Sequence, residues 1–301
     1  MKKRKTPKVL RGRLFPALTA FILCFSLVTG TAVKVSAVSG QAEEITANEN
    51  SRAAERSVRV YVNGAEYGGR AFIQKSVTYV GIREFSMHMG VTSVSWDSAK
   101  KTASVRSDTL SIDAKNLSLY ITANGRYLWA SSGIIIKSGT MYVPLRTISK
   151  AFGCDVRWDE KTFAAYVSKS GTLENGSTFY NSDSLYWLSR IIHAEASGES
   201  LLGKVAVGTV VLNRVKSPDY PNTNRGVIFD KKNGVQFTPA ANGAINCTPS
   251  AESIIAAKLC LDGASISDRI LFFINEALAQ SSWVSDNRTF VVTVGNHKFY
   301  A

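Results

Sequence analysis

The feature that most constrains this chain is an internal repeat. Tyr79-Val80-Gly81-Ile82-Arg83 returns as Tyr142-Val143-Pro144-Leu145-Arg146, and Val94-Ser95-Trp96-Asp97 returns as Val156-Arg157-Trp158-Asp159. Asn63-Gly64 likewise returns as Asn124-Gly125, and the offset stays at 61–63 residues. Two similar units therefore follow one another. Within each, apolar and polar residues alternate as they do in half-buried strands. Residues 94–105 and 156–167 read as hairpins, with turns at 97–100 and 159–161. One short helix is predicted at 146–152, stopped by Gly153. The repeated Trp96 and Trp158 are expected in the core, with an exposed sugar-stacking platform as the alternative.

Polar stretches set the boundaries. A basic segment to Arg13, an apolar run at 15–30 and the small residues Val35-Ser36-Ala37 make residues 1–37 a secretory signal. An uncleaved membrane anchor stays open, although the run is short for a span of about 20 residues. Residues 38–56 have almost nothing to bury and read as a disordered spacer. The repeated β-rich module occupies 57–168, a polar linker 169–183, and a region of different character 184–301. The expected fold class is α+β, with mainly helical structure after the linker.

Charge narrows the partners. The chain has 36 Lys and Arg against 23 Asp and Glu, a formal +13. Eight of the bases and none of the acids lie in 1–37, so the remainder holds 28 bases against 23 acids. No basic block marks a nucleic-acid tail, and nucleic acid is not an expected partner. Beyond the signal, Cys154, Cys247 and Cys260 are too few for a disulfide framework. A Cys247–Cys260 bridge is one reading and small buried thiols the other. His88, His193 and His297 are scattered and no Cys-x-x-Cys occurs, so neither a metal nor another cofactor is expected.

The chemistry-bearing segment begins with a helix at 184–196, capped by Asp183 or Ser184. Leu185, Leu188 and Ile192 share one face, and Glu195 is the next residue along that stripe. Gly198 supplies the stop. An acid on an apolar stripe in the last turn is disfavoured as an anion by desolvation and by the helix dipole alike. Both raise its pKa towards the range of a general acid at neutral pH. The alternative is a salt bridge from Arg190 or Lys204. Residues 202–215 form a helix apolar on nearly every face, which is core.

Two resemblances join these patterns. The Tyr-Val-Pro-Leu-Arg strand, short helix, Gly153 and Val156-x-Trp158-Asp159 resemble the copper amine oxidase N-terminal-like domain of exported bacterial proteins. His88 is that region's only histidine, so no copper site is expected, and the resemblance implies a structural or wall-binding module. Downstream, Leu188-Ser-Arg-Ile-Ile-His-Ala-Glu195-Ala-Ser-Gly-Glu199 leads into Gly203-Lys-Val-Ala-Val-Gly-Thr-Val-Val-Leu-Asn213-Arg214. Ser217-Pro218, Gln236-Phe237, Asn242-Gly243, Phe272-Phe273-Ile-Asn275 and Gly295-Asn-His297 follow. This order is similar, over essentially all of 184–301, to the SleB-type cell wall hydrolases, the spore cortex-lytic enzyme family.

That family implies a lysozyme-like domain that cleaves the peptidoglycan glycan strand between N-acetylmuramic acid and N-acetylglucosamine. It makes Glu195 the catalytic acid of a lytic transglycosylase, which forms 1,6-anhydro ends and can work with one carboxyl group. Gln236, Phe237 and Asn275 follow family motifs and are candidate glycan-binding residues, and Tyr220 is a candidate for the cleft edge. Glu199, beyond Gly198, is expected to point elsewhere, while Asp219 and Asp230 stay open as a second acid. Asn213 and Arg214 are expected to tie a loop to their helix, and His297 to be structural. Ser197 departs from the Arg the family often has. The implied partner is peptidoglycan of the cell wall or spore cortex, with a regulatory or anchoring protein left open. The implied location is outside the cell, in the wall, in the cortex or at the inner-membrane surface. The rival functions are an N-acetylmuramoyl-L-alanine amidase and a non-catalytic wall-binding protein.

Overall fold

Alternating residues put the first half of the chain into strands that cross-pair over long distances. The computed structural model describes residues 55–232, 234–279 and 281–301. The segment read as a signal, 1–37, and nearly all of that read as a spacer, 38–56, lie outside the described residues. The spacer's last residues nonetheless belong to the fold: Glu55 pairs with Arg70 at 2.9 Å and with Lys137, and Arg56 sits in a strand opposite Ile73.

The strands of the front half are β1 Arg56–Ser57, β2 Arg59–Val62, β3 Ala65–Glu66, β4 Ala71–Gln74 and β5 Val77–Gly81. Helix α1, Ile82–His88, follows, then β6 Ser93–Asp97, β7 Thr102–Arg106, β8 Ser111–Lys115, β9 Tyr120–Ala123 and β10 Arg126–Trp129. Next come β11 Ile135–Lys137, β12 Thr140–Pro144, helix α2 Leu145–Ala151, β13 Cys154–Asp159 and β14 Ala164–Lys169. Helix α1 is an addition to the single short helix expected; α2 falls where that helix was predicted, and Gly153 after it has φ +67°.

Three sheets result, in the orders β1-β4-β5-β12-β11, β10-β9-β8-β7-β6 and β13-β14-β2-β3. The two Tyr-Val strands pair with each other, with Val80 opposite Val143 and Tyr79 opposite Pro144. Both predicted hairpins form as β6–β7 and β13–β14. Asp97 accepts from the Ala99 and Lys100 N–H groups, and Asp159 from those of Lys161 and Thr162, which closes each turn. Asn63-Gly64 and Asn124-Gly125 both adopt positive φ, the two-residue turn of a tight hairpin. β2 pairs in parallel with β14 and so joins the two ends of the module. Val60, Phe85, Val105, Ile112, Ile121 and Ile148 are buried in its core. Trp158 packs at the margin of that core, but Trp96 is 45% exposed on β6, an edge strand, and is not the core residue expected.

The linker is packed. Asn175 caps α3, Gly176–Phe179, and the Gly176 N–H donates to Asn124 O at 2.8 Å. Helices α4 Ser182–Ala196, α5 Leu201–Lys216, α6 Asn224–Ile228, α7 Thr238–Asn242 and α8 Ala251–Leu261 follow. After them come β15 Phe272–Ile274, α9 Trp283–Asn287, β16 Phe290–Val294 and β17 His297–Tyr300, the three strands ordered β15-β17-β16. The class is α+β, β-rich in front and mainly helical behind. Leu188, Ile192, Val207, Val211, Ala256 and Phe299 share the second core. At Gly208 the helices meet so closely that a Cβ would lie 2.6 Å from Cys260 Sγ and 2.9 Å from Ile192 Cδ1. Cys260 is buried and free while Cys247 is exposed and free, so the bridge weighed between them is not formed.

The two halves are joined by a buried ionic cluster. Arg126 grips Asp262 with two hydrogen bonds, 2.8 Å from Nε and 2.9 Å from Nη2, and Lys150 Nζ lies 2.5 Å from the same carboxylate. Tyr180 OH donates to it at 3.4 Å, and Phe179 stacks 3.5 Å beneath the Arg126 guanidinium. Tyr120, Tyr127 and Trp129 of the front sheet pack on the second core.

Candidate active site

The site forms where α4, α5 and the terminal sheet meet. Asn181 caps α4, accepting from the Ser184 N–H at 2.9 Å. It replaces the predicted Asp183 or Ser184, because Asp183 already lies in the first turn and accepts from Trp187 Nε1 at 3.1 Å. Leu188, Ile191, Ile192 and Ala196 bury the helix face. Glu195 stands at the edge of that face, half-buried, and opens into a cavity of about 1190 Å³. Burial pushes its carboxyl up to about 7.

No hydrogen bond or ion pair ties the Glu195 side chain to any described residue. The salt-bridge alternative fails for both bases. Arg190 stacks 3.7 Å over the Tyr186 ring, and buried Lys204 donates to Glu252 at 2.7 Å and to the Glu199 carbonyl. A carboxyl group that is desolvated and unpartnered stays protonated near neutral pH, which is the condition for donating a proton.

Glu199, expected to point elsewhere, lines the same cavity, with its side chain only 8% exposed. Asn296 Nδ2 donates to its Oε1 at 2.9 Å and the Asn296 N–H to its Oε2 at 3.4 Å. The reason lies far along the chain. The β16–β17 turn folds back over the end of α4 with Gly295 at φ +58°, where a Cβ would fall 1.9 Å from Glu199 Oε2. His297 Nδ1 stands 3.5 Å from Glu199 Oε1, a contact without hydrogen-bond geometry, and the ring packs edge-on to Phe273. Burial holds the imidazole below its ordinary pKa despite Glu199, so it is neutral at neutral pH.

Of the four binding candidates, Tyr220, Gln236 and Asn275 line the cavity. Phe237 does not: it is 2% exposed, in the second core, where its ring packs 6.3 Å from that of Phe273. Asp219 and Asp230 do not line the cavity either, and Asp230 is engaged by the Lys232 N–H. Asn213 ties its helix to the following loop as expected, donating to Ser267 O and Ile270 O at 2.9 Å each. Arg214 does more than that. It donates to Leu271 O at 2.7 Å and to Gln236 Oε1 at 3.2 Å, sits 5.0 Å from the Tyr220 ring, and lines the cavity. A buried arginine near the end of a largely apolar helix was the signal available for it. The outer wall is Phe272, Trp283 and Arg288, with the Arg288 guanidinium 4.4 Å over Phe272. Among the described residues no group of three His, Cys, Asp or Glu is placed to hold a metal ion.

Residues 198–300 match the Cell Wall Hydrolase family, a stretch that begins just beyond Glu195, and residues 61–167 match the copper amine oxidase N-terminal domain. The spore cortex-lytic enzyme of Bacillus cereus is 33% identical over 132 residues, 44% of this chain and 48% of that protein. The spore cortex-lytic enzyme of Bacillus subtilis is 34% identical over 121 residues, 40% of this chain and 38% of that one. The chain thus spans less than half the length of these curated relatives. The solved catalytic domain of the germination-specific lytic transglycosylase SleB from Bacillus anthracis is 32% identical, covering 42% of this chain and 99% of that one, with a TM-score of 0.37. The C-terminal region is thus a cell wall hydrolase domain, set behind a copper amine oxidase N-terminal domain.

Proposed function

We propose that the chain degrades peptidoglycan as a lytic transglycosylase, cutting the glycan strand between N-acetylmuramic acid and N-acetylglucosamine. The observation that carries this is Glu195, a half-buried carboxyl group raised to about 7, without a partner among the described residues, in an open cleft. Protonated Glu195 gives its proton to the glycosidic oxygen as the bond to the muramic C1 breaks. The resulting carboxylate takes the proton from the muramic C6 hydroxyl, whose oxygen bonds C1 and closes the 1,6-anhydro ring. Glu195 ends protonated, ready for the next bond. Tyr220, Gln236 and Asn275 supply a ring and two amides for sugar faces and hydroxyls. The relatives' description as spore cortex-lytic enzymes supports cortex lysis as the setting, with wall turnover as the alternative.

We read residues 1–37 as the export signal, 57–168 as two repeated units and 184–301 as a lysozyme-like catalytic domain, acting outside the cell on wall or cortex. Glu199 in the same cavity favours one second reading, hydrolysis by water with two carboxylates. Its oxygens are engaged by Asn296, which supports a scaffolding role instead.

Mass spectrometry of fragments released by the full chain from peptidoglycan, with and without cortex modification, tests the proposal. Anhydro-muropeptides are expected from wild type, with the rate reduced about 10²- to 10⁴-fold in Glu195→Gln. Reducing ends in place of anhydro ends would favour hydrolysis. Free stem peptides would mean amidase chemistry, and no product from wild type would leave a wall-binding protein.

A further inference from the structure

A second cavity, of about 640 Å³, lies on the front module and shares no residue with the cleft of Glu195. Its walls come from β4–β5, the start of α2, and the β13–β14 hairpin, with Trp129 of β10 on one side. We propose that this groove binds a β-1,4-linked N-acetylhexosamine strand, a glycan site separate from the cleft. The inference rests on the proposed glycan substrate for the nature of the polymer.

The wall has the mixed character that sugars need. Hexosamine rings present flat C–H faces and a rim of hydroxyl and amide groups, so they bind to aromatic rings bordered by hydrogen-bonding side chains. Trp129, Trp158 and Phe163 are half-buried aromatics of the groove. Trp158 and Phe163 meet edge to face at 5.0 Å and 82°, and the Arg56 guanidinium lies 3.5 Å over the Phe163 ring. These contacts hold the rings in place before any ligand arrives, which reduces the ordering cost of binding. Arg146 is tied to Val156 O at 2.7 Å and is otherwise exposed at the wall, a donor facing a rim that also carries the exposed acceptor Glu160. The volume is in the usual range of about 300–1,000 Å³ for ligand cavities.

An apolar peptide would leave Glu160, the remaining donors of Arg146 and the exposed hydroxyls of Ser76 and Ser131 unmatched, at a desolvation cost. A glycan matches both kinds of surface. The groove is also tied to the hydrolase half. Thr147 on its wall donates to Trp129 O at 2.7 Å, and Trp129 packs on the second core. A strand held here therefore stays attached to the chain whose cleft cuts it, which raises its effective concentration there.

The test uses the full chain carrying Glu195→Gln, so that nothing is turned over. It is titrated with the β-1,4-linked N-acetylglucosamine tetramer by tryptophan fluorescence, and pelleted with sacculi stripped of anionic polymers. Trp158→Ala and Ser131→Trp, the second placed at the exposed rim to fill the groove, are each expected to weaken sacculus binding about tenfold. In the active chain the same substitutions are expected to raise KM on sacculi and leave kcat on short soluble fragments unchanged. Sacculus binding equal to the parent in both folded variants overturns the groove assignment. Binding that disappears once anionic polymers are stripped also overturns it, since charge alone would then explain retention. Groove-dependent binding with no glycan product from the active chain would sink the catalytic reading and leave this one standing.

Discussion

Asp262 and Glu195 are both carboxylic side chains withdrawn from water, yet their surroundings are opposite. Asp262 lies between the two halves with Arg126 in a two-bond grip, Lys150 and Tyr180 beside it, and its side chain 1% exposed. Glu195 lies in the cleft wall with no partner at all among the described residues. A buried charge with partners is a joint, and its removal leaves the partners stranded. A buried acid without partners gains nothing for the fold, and its ionisation is disfavoured by the same burial. The difference separates a carboxylate that holds this molecule together from one that is left poised in the cleft.

The strongest way to break the comparison is Asp262→Ala. It leaves Arg126, 7% exposed, without a counter-charge in the joint. The expected loss is about 3–5 kcal/mol in urea denaturation, with the two halves unfolding in separate transitions. An unchanged single transition would mean that aromatic packing, not the ionic cluster, joins the halves.

Glu195→Gln should act in the opposite sense. The folded group titrates at about 7 against an ordinary 4.5, so between those values the folded chain holds a proton that the unfolded chain has released. Stability is then intact below about pH 4.5 and falls as pH rises through about 7. Gln removes that loss, and the variant is expected to match wild type at pH 4 and exceed it at pH 8 by about 3–4 kcal/mol, at about 1.4 kcal/mol per pKa unit. Equal stability of the two chains at pH 8 would show that Glu195 is solvated. Wild-type activity should decline over the same range, as the proton donor is lost.

Glu199→Gln sharpens the contrast with the smallest effect. Its carboxylate has partners, as that of Asp262 does, and Gln retains an oxygen for Asn296. The expected cost is about 1 kcal/mol, with anhydro products still formed. A change from anhydro to reducing ends, or loss of activity as deep as in Glu195→Gln, would move Glu199 from scaffold to chemistry.

What could be read along the chain was what depends on near neighbours. The hairpins at 94–105 and 156–167 were legible because strand alternation and Asx turns are local patterns. Glu195 was legible for the same reason, since a helix stripe is a property of residues three and four apart. Trp96 defeated that reading because the repeat carries a residue type but not its neighbours. Its strand is at a sheet edge, while Trp158 meets Phe163 and a groove.

The sequence by itself therefore determined the strand-and-helix periods and the place of Glu195 at the end of an apolar stripe. Only the tertiary structure decided that Glu199 turns into the cleft, that Phe237 turns away from it, and that Arg214 lines it. Glu199, for one, is held by a segment distant in sequence, the turn whose Asn296 donates to its carboxylate. Local propensities are set by residues a few positions apart. Which surfaces then meet is settled by the packing of whole elements, where burial, excluded volume and the pairing of charges act across the entire chain.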